Sequence, residues 1–124
     1  MDNGTYGFIY CGFTGVGIGA LTVNDGVLTG SDGGNKYTGK ASVDSATGEI
    51  VLDFEQHTPA GVSLVQGVMP LPWPSLRPRV IRLPANFDGK PIDHPLPPGH
   101  VTITFKRVPD EYAVYANGFT VTPI

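Results

Sequence analysis

The chain has 124 residues, 40% of them hydrophobic and 15% charged, with a formal net charge of −3. That length suits one domain spanning residues 1–124 around one core, and the balance is too apolar and too weakly charged for a disordered chain. An acidic net charge argues against direct binding of nucleic acid, which needs a basic face to displace counterions from phosphates, and a lone cysteine, Cys11, excludes an internal disulfide framework.

Taken in order, the start Met1-Asp2-Asn3-Gly4 lacks the basic segment and unbroken apolar run of a secretory signal. No later run approaches the ~20 apolar residues of a membrane helix, so the expected location is cytoplasmic, without membrane association. Residues 5–11 and 16–23 are strand-like, and Cys11 is expected to be a small core hydrophobe. Asn24-Asp25-Gly26 then sets Asp-Gly between two apolar runs, the signature of a two-residue type I′ hairpin whose central residues take φ > 0. Strand 26–30 follows, then a glycine-rich turn at Ser31-Asp32-Gly33-Gly34-Asn35.

Over 36–43 the sequence alternates strictly, with Tyr37, Ala41 and Val43 on one face and Lys36, Thr38, Lys40 and Ser42 on the other. After a turn at 44–48, Ile50, Leu52 and Phe54 point one way while Glu49, Asp53, Glu55 and His57 point the other. Residues 61–68 form a weaker strand pattern. The stretch 70–98 holds nine of the twelve prolines, and Trp73, between two of them, is expected to cover a barrel mouth or meet a subunit partner. Strand 79–83, a turn at Asp88-Gly89, the alternating Val101, Ile103 and Phe105, and a last strand at 111–117 complete the pattern. Glycine and proline exclude long helices. About eight to nine short strands joined mostly by turns predict an all-β fold, an antiparallel up-and-down barrel of about eight strands.

The search for chemistry is short. Gly15-Val16-Gly17-Ile18-Gly19-Ala20 satisfies the dinucleotide fingerprint G-x-G-x-x-A, but the Asn24-Asp25-Gly26 turn follows where a helix is required, so the glycines are read as relieving crowding in a sheet. Asp53 and Glu55 share a strand face about 7 Å apart by strand rise, yet that face is the polar one, expected in solvent. His57, His94 and His100 are scattered, with no motif tying them to Cys11. Asp32 and Asn35 are too few to hold calcium and are explained by turn formation. Arg77, Arg79 and Arg82 are read as a solvated edge. No cofactor, no metal and no catalytic residue is expected.

Beyond these, the sequence resembles the GrlR family, small β-barrels named for a negative regulator of type III secretion genes. The resemblance is carried by Asp2-Asn3-Gly4-Thr5-Tyr6, Gly17-Ile18-Gly19, Val23-Asn24-Asp25-Gly26, Leu28-Thr29-Gly30-Ser31-Asp32 and Tyr37-Thr38-Gly39, in the family's order, over roughly the first third of the chain. Two later segments, Leu83-Pro84-Ala85-Asn86-Phe87-Asp88-Gly89-Lys90-Pro91 and Thr104-Phe105-Lys106-Arg107, are similar to the same group. The resemblance implies a lipocalin-like barrel that forms a homodimer and acts by binding protein, the archetype sequestering a helix-turn-helix transcriptional activator. Where the archetype carries a compact acidic run, this chain has Val43-Asp44-Ser45-Ala46-Thr47-Gly48-Glu49, with only Asp44 and Glu49 acidic.

The expected function is therefore a non-enzymatic regulatory, protein-binding barrel with a transcriptional regulator as partner, and Trp73, Asp44 and Glu49 as candidate partner surface. The alternative is a carrier of a small apolar ligand in a barrel interior lined by Tyr37, Ile50, Leu52, Phe54 and Phe105.

Overall fold

The computed structural model describes residues 1–12, 15–32, 34–59, 75–96 and 99–116. The strands are β1 (Gly4–Gly12), β2 (Gly15–Asn24), β3 (Val27–Ser31), β4 (Lys36–Val43), β5 (Ile50–Thr58), β6 (Ser75–Leu83), β7 (Pro91–Leu96) and β8 (Gly99–Val108). A 3-10 turn at Asp110–Tyr112 and the one-turn helix α1 (Ala113–Ala116) follow. The order β6-β5-β4-β3-β2-β1-β8-β7, antiparallel at every pairing, is an up-and-down barrel that is closed everywhere except between β6 and β7.

The position of that seam follows from proline. Pro78 on β6 and Pro91 and Pro95 on β7 lie on the two strands with a neighbour on one side only, the strands that tolerate a residue without an N–H. The tight turns also follow local chemistry. Asp25 (φ 49°) and Gly26 (φ 82°) join Asn24 to Val27 as the expected two-residue hairpin, and Gly48 and Gly89, both at φ 76°, sit in the β4–β5 turn and the loop before β7.

Alternation along the strands turns Tyr6, Phe8, Leu21, Val23, Leu28, Ile50, Leu52, Ile81, Leu83, Val101, Ile103 and Phe105 inward as one core. Phe87, in the loop between β6 and β7, closes one end of the barrel: its ring lies 5.9 Å from that of Tyr6 and 6.4 Å from that of Phe105. The N-terminal residues, the β2–β3 hairpin, the loop before β7 and the end of β8 meet at this end. Arg107 donates to the carbonyls of Asn3 and Thr5, Asp88 accepts from the Arg107 backbone, and Asn3 and Asp25 exchange two hydrogen bonds.

The glycines of β2 have a packing role, as expected. A side chain at Gly17 would run into the Tyr10 ring and one at Gly19 into Phe8, so the two rings lie over a strand stripped of Cβ atoms.

Several expectations require correction. Cys11 is exposed, because β1 turns its even-numbered aromatics inward and therefore Ile9 and Cys11 outward. Residues 111–116, read as strand, form the end of the 3-10 turn and α1. The docking of α1 on the outer faces of β2 and β3, which buries outward-facing Ala20 and Ser31, outweighs the strand propensity of Tyr112, Val114 and Tyr115. Val43 is exposed where β4 reaches its turn. Residues 91–96, not expected as strand, form β7. The weaker strand pattern at 61–68 lies outside the described residues.

Candidate functional site

Among the residues singled out from sequence, Asp44 and Glu49 flank the β4–β5 turn and both bind the Arg82 guanidinium, at 3.1 and 3.3 Å. Backbone N–H donation from Ala46 and the Arg82 contact hold the Asp44 carboxyl below the usual carboxylate range. Arg82 thus belongs to an exposed ion-pair cluster and answers the two carboxylates. Trp73 lies outside the described residues.

The five candidate lining residues do come together in the interior. Ile50, Leu52 and Phe105 are buried core, and Tyr37 and Phe54 are partly buried against it, their rings in edge contact at 5.6 Å. At this level the barrel is filled by its own side chains. Asp53 and Glu55 are exposed on the outer face of β5, as the alternation predicts, and among the described residues no group of three or more His, Cys, Asp or Glu side chains is placed to hold a metal.

The end of the barrel opposite Phe87 is polar within. Asp32, just past β3, accepts hydrogen bonds at Oδ1 from the backbone of Gly34 and Asn35, and at Oδ2 from the Tyr10 hydroxyl (3.0 Å), the Tyr37 hydroxyl (2.6 Å) and the Asn35 amide (3.1 Å). Thr58 donates to Asn35 Oδ1 at 2.6 Å. Burial, then the Asp32 carboxylate, push the Tyr10 and Tyr37 hydroxyls far above their ordinary range, so both stay protonated donors. Turn formation does explain Asp32 and Asn35, but in addition it ties the β3–β4 turn to β1 and β5.

Arg79 corrects the reading of the arginines as one solvated edge. On β6 its side chain points inward with Ile81 and Leu83, and its Nε donates to Gln56 Oε1 at 3.1 Å. Burial, and then neighbouring Arg77, disfavour its charge.

Outside the barrel, β1 and β2 present a feature that sequence reasoning did not isolate. Ile9 pairs with Ile18 and Cys11 with Val16 across the hairpin, and Ile9, Val16 and Ile18 are 46%, 63% and 70% exposed. The outward residues of neighbouring β8, Thr102 and Thr104, are uncharged and pair with Cys11 and Ile9. The signal was present in the alternation of β1: placing Tyr6, Phe8 and Tyr10 inside obliges Ile9 and Cys11 to lie outside. Among the described residues no helix is long and apolar enough to cross a membrane.

Comparison with family models, with curated proteins and with solved structures found no match.

Proposed function

We propose that this protein is a non-enzymatic, protein-binding barrel that works as a homodimer through the outer face of the β1–β2 hairpin. The observation that carries the reading is the exposed Ile9–Ile18 cross-strand pair, extended by Cys11 and Val16 into an apolar face with no charge on it. A contiguous apolar patch on a sheet marks an interaction surface. The occupant is a second copy: a net charge of −3 disfavours contact between copies least where the approaching faces carry no charge, and a two-fold axis at the hairpin sets this patch against itself.

The resemblance to GrlR-type regulators supports the same reading and adds a role: negative regulation by holding a transcriptional regulator. The Asp44–Glu49 turn is the surface proposed for that partner. The interior-carrier alternative is the weaker reading, because Ile50, Leu52 and Phe105, which would line its cavity, are themselves packed core.

Sedimentation equilibrium tests the dimer. The wild-type chain is expected to sediment as a dimer at micromolar concentration, and Ile18→Lys as a monomer with an unchanged β-sheet circular dichroism spectrum. A wild-type chain that stays monomeric through high micromolar concentration overturns the proposal.

A further inference from the structure

The inward face of β6 changes character along its length. Leu83 and Ile81 belong to the core, whereas Arg79 and Arg77 continue the same face toward the polar end, since Leu76 and Val80 point outward and are exposed. Arg79 is half-buried beside Phe54, its partner in register, and Arg77 is exposed at the rim. On β7, across the seam, His94 turns inward with Ile92, opposite buried Val101. The His94 ring is held below its ordinary pKa by burial and then by the Arg79 guanidinium.

Among the described residues Arg77 and Arg79 have no ion-pair partner. All eleven Asp and Glu residues of the chain are among the described residues, and no ion pair joins any of them to Arg77 or Arg79. Asp32, at this end of the barrel, is already occupied by two tyrosine hydroxyls, an amide and two backbone N–H groups. From residue 56 to residue 87 the chain has three arginines and no acidic residue at all. A guanidinium drawn out of water without an anion is unfavourable by itself, and its planar fork matches a carboxylate or phosphate bidentately. The aromatic edges of Phe54 and Tyr37 beside it offer an apolar wall.

We propose that the polar end of the barrel binds a small organic oxyanion, a carboxylate or phosphate ester on an apolar body, with Arg79 as anchor, Arg77 at the rim and His94 across the seam. The site is independent of the outer β1–β2 face. Calorimetric titration with phenyl phosphate and with benzoate tests it, phenol serving as the uncharged control. Saturable binding of at least one of the two anions is expected, with phenol not binding, and Arg79→Gln is expected to weaken that binding by about tenfold or more, the scale of a lost charge-assisted pair. Arg77→Gln should have a smaller effect, and Lys40→Gln, on the outer face of β4, none.

A structural role for Arg79 is separated by stability without ligand. If the guanidinium awaits an anion, Arg79→Gln unfolds at the same denaturant concentration as wild type or higher, since an uncompensated charge is removed. A marked fall in that midpoint overturns the proposal, as does absence of binding by both anions at millimolar concentration, or equal weakening by Lys40→Gln.

Discussion

Leu52 and Leu83 expose none of their surface and stand in the middle of the core. Truncation of either to alanine removes buried methyl groups and leaves a cavity between closely packed strands, a loss of about 2–5 kcal/mol. Against a total of ~5–15 kcal/mol for a domain of this kind, Leu52→Ala is expected to shift the urea midpoint strongly and populate the unfolded state near room temperature. Tyr37 is held differently. Its ring packs on Phe8 and Phe54 while its hydroxyl serves Asp32, so Tyr37→Phe keeps the packing and removes one donor from a carboxylate. The expected cost is about 1–3 kcal/mol, read by denaturant unfolding. Cys11, exposed on the proposed dimer face, should react with a maleimide in the native protein, and more slowly as concentration rises into the dimeric range. Labelling at a rate independent of concentration would count against that face.

Among the elements, the backbone of β5 passes close against Gly39 of β4. A Cβ there would collide with the Asp53 carbonyl and the backbone of Phe54, atoms that cannot swing aside, whereas a Cβ at Gly99 would meet nothing within 4 Å. Gly39→Ala is therefore expected to be severely destabilising, and Gly99→Ala close to neutral in the same thermal unfolding assay. At the β2–β3 hairpin the limit is conformational. Gly26 has room for a methyl group but sits at φ 82°, where an L side chain is disfavoured by about 1–2 kcal/mol, so Gly26→Ala should fall between the other two. The elements also show where local pattern misled. Residues 111–116 have aromatic and β-branched residues suited to a strand, yet the chain leaving β8 turns onto the outside of β2 and β3, where a helical turn buries Ala116. β7 is the reverse case: its prolines argue against a strand until the strand is known to be an edge.

For the whole molecule, pH dependence has two limbs with different origins. On the acid side, the Arg107 backbone N–H and then Lys106 hold Asp88 below its ordinary pKa of 3.8. A depressed carboxylate contributes stability that is present above the unfolded pKa and is lost as pH falls through the folded one. Asp88→Asn should therefore flatten the decline in unfolding free energy below about pH 4. On the alkaline side, burial and then Asp32 raise Tyr37 from an ordinary value of 10.0, so the native state holds its proton more tightly than the unfolded chain. That contribution is complete below about pH 10 and is lost as pH rises beyond it, and Tyr37→Phe should show a shallower alkaline limb in pH-dependent unfolding.

By itself the sequence determined the class of fold, the turns and most of the inner face. Period-2 alternation assigns a side to each residue of a half-buried strand, and Asp25-Gly26 states its own backbone conformation, so Tyr37, Ile50, Leu52, Phe54, Val101, Ile103 and Phe105 were legible without coordinates. The tertiary structure decided what depends on closure. Cys11 has the composition of a core residue, and only its register opposite Val16, with Tyr10 inward, places it outside. Arg77, Arg79 and Arg82 form one basic cluster along the chain, but strand parity sends Arg82 outward to Asp44 and Glu49 and turns Arg79 inward toward Gln56. The candidate surfaces were hidden for the same reason. Each is made of residues whose side chains are ordinary one at a time, and which acquire meaning only when distant strands set two isoleucines together outside the barrel and, within it, a guanidinium that has no ion-pair partner among the described residues.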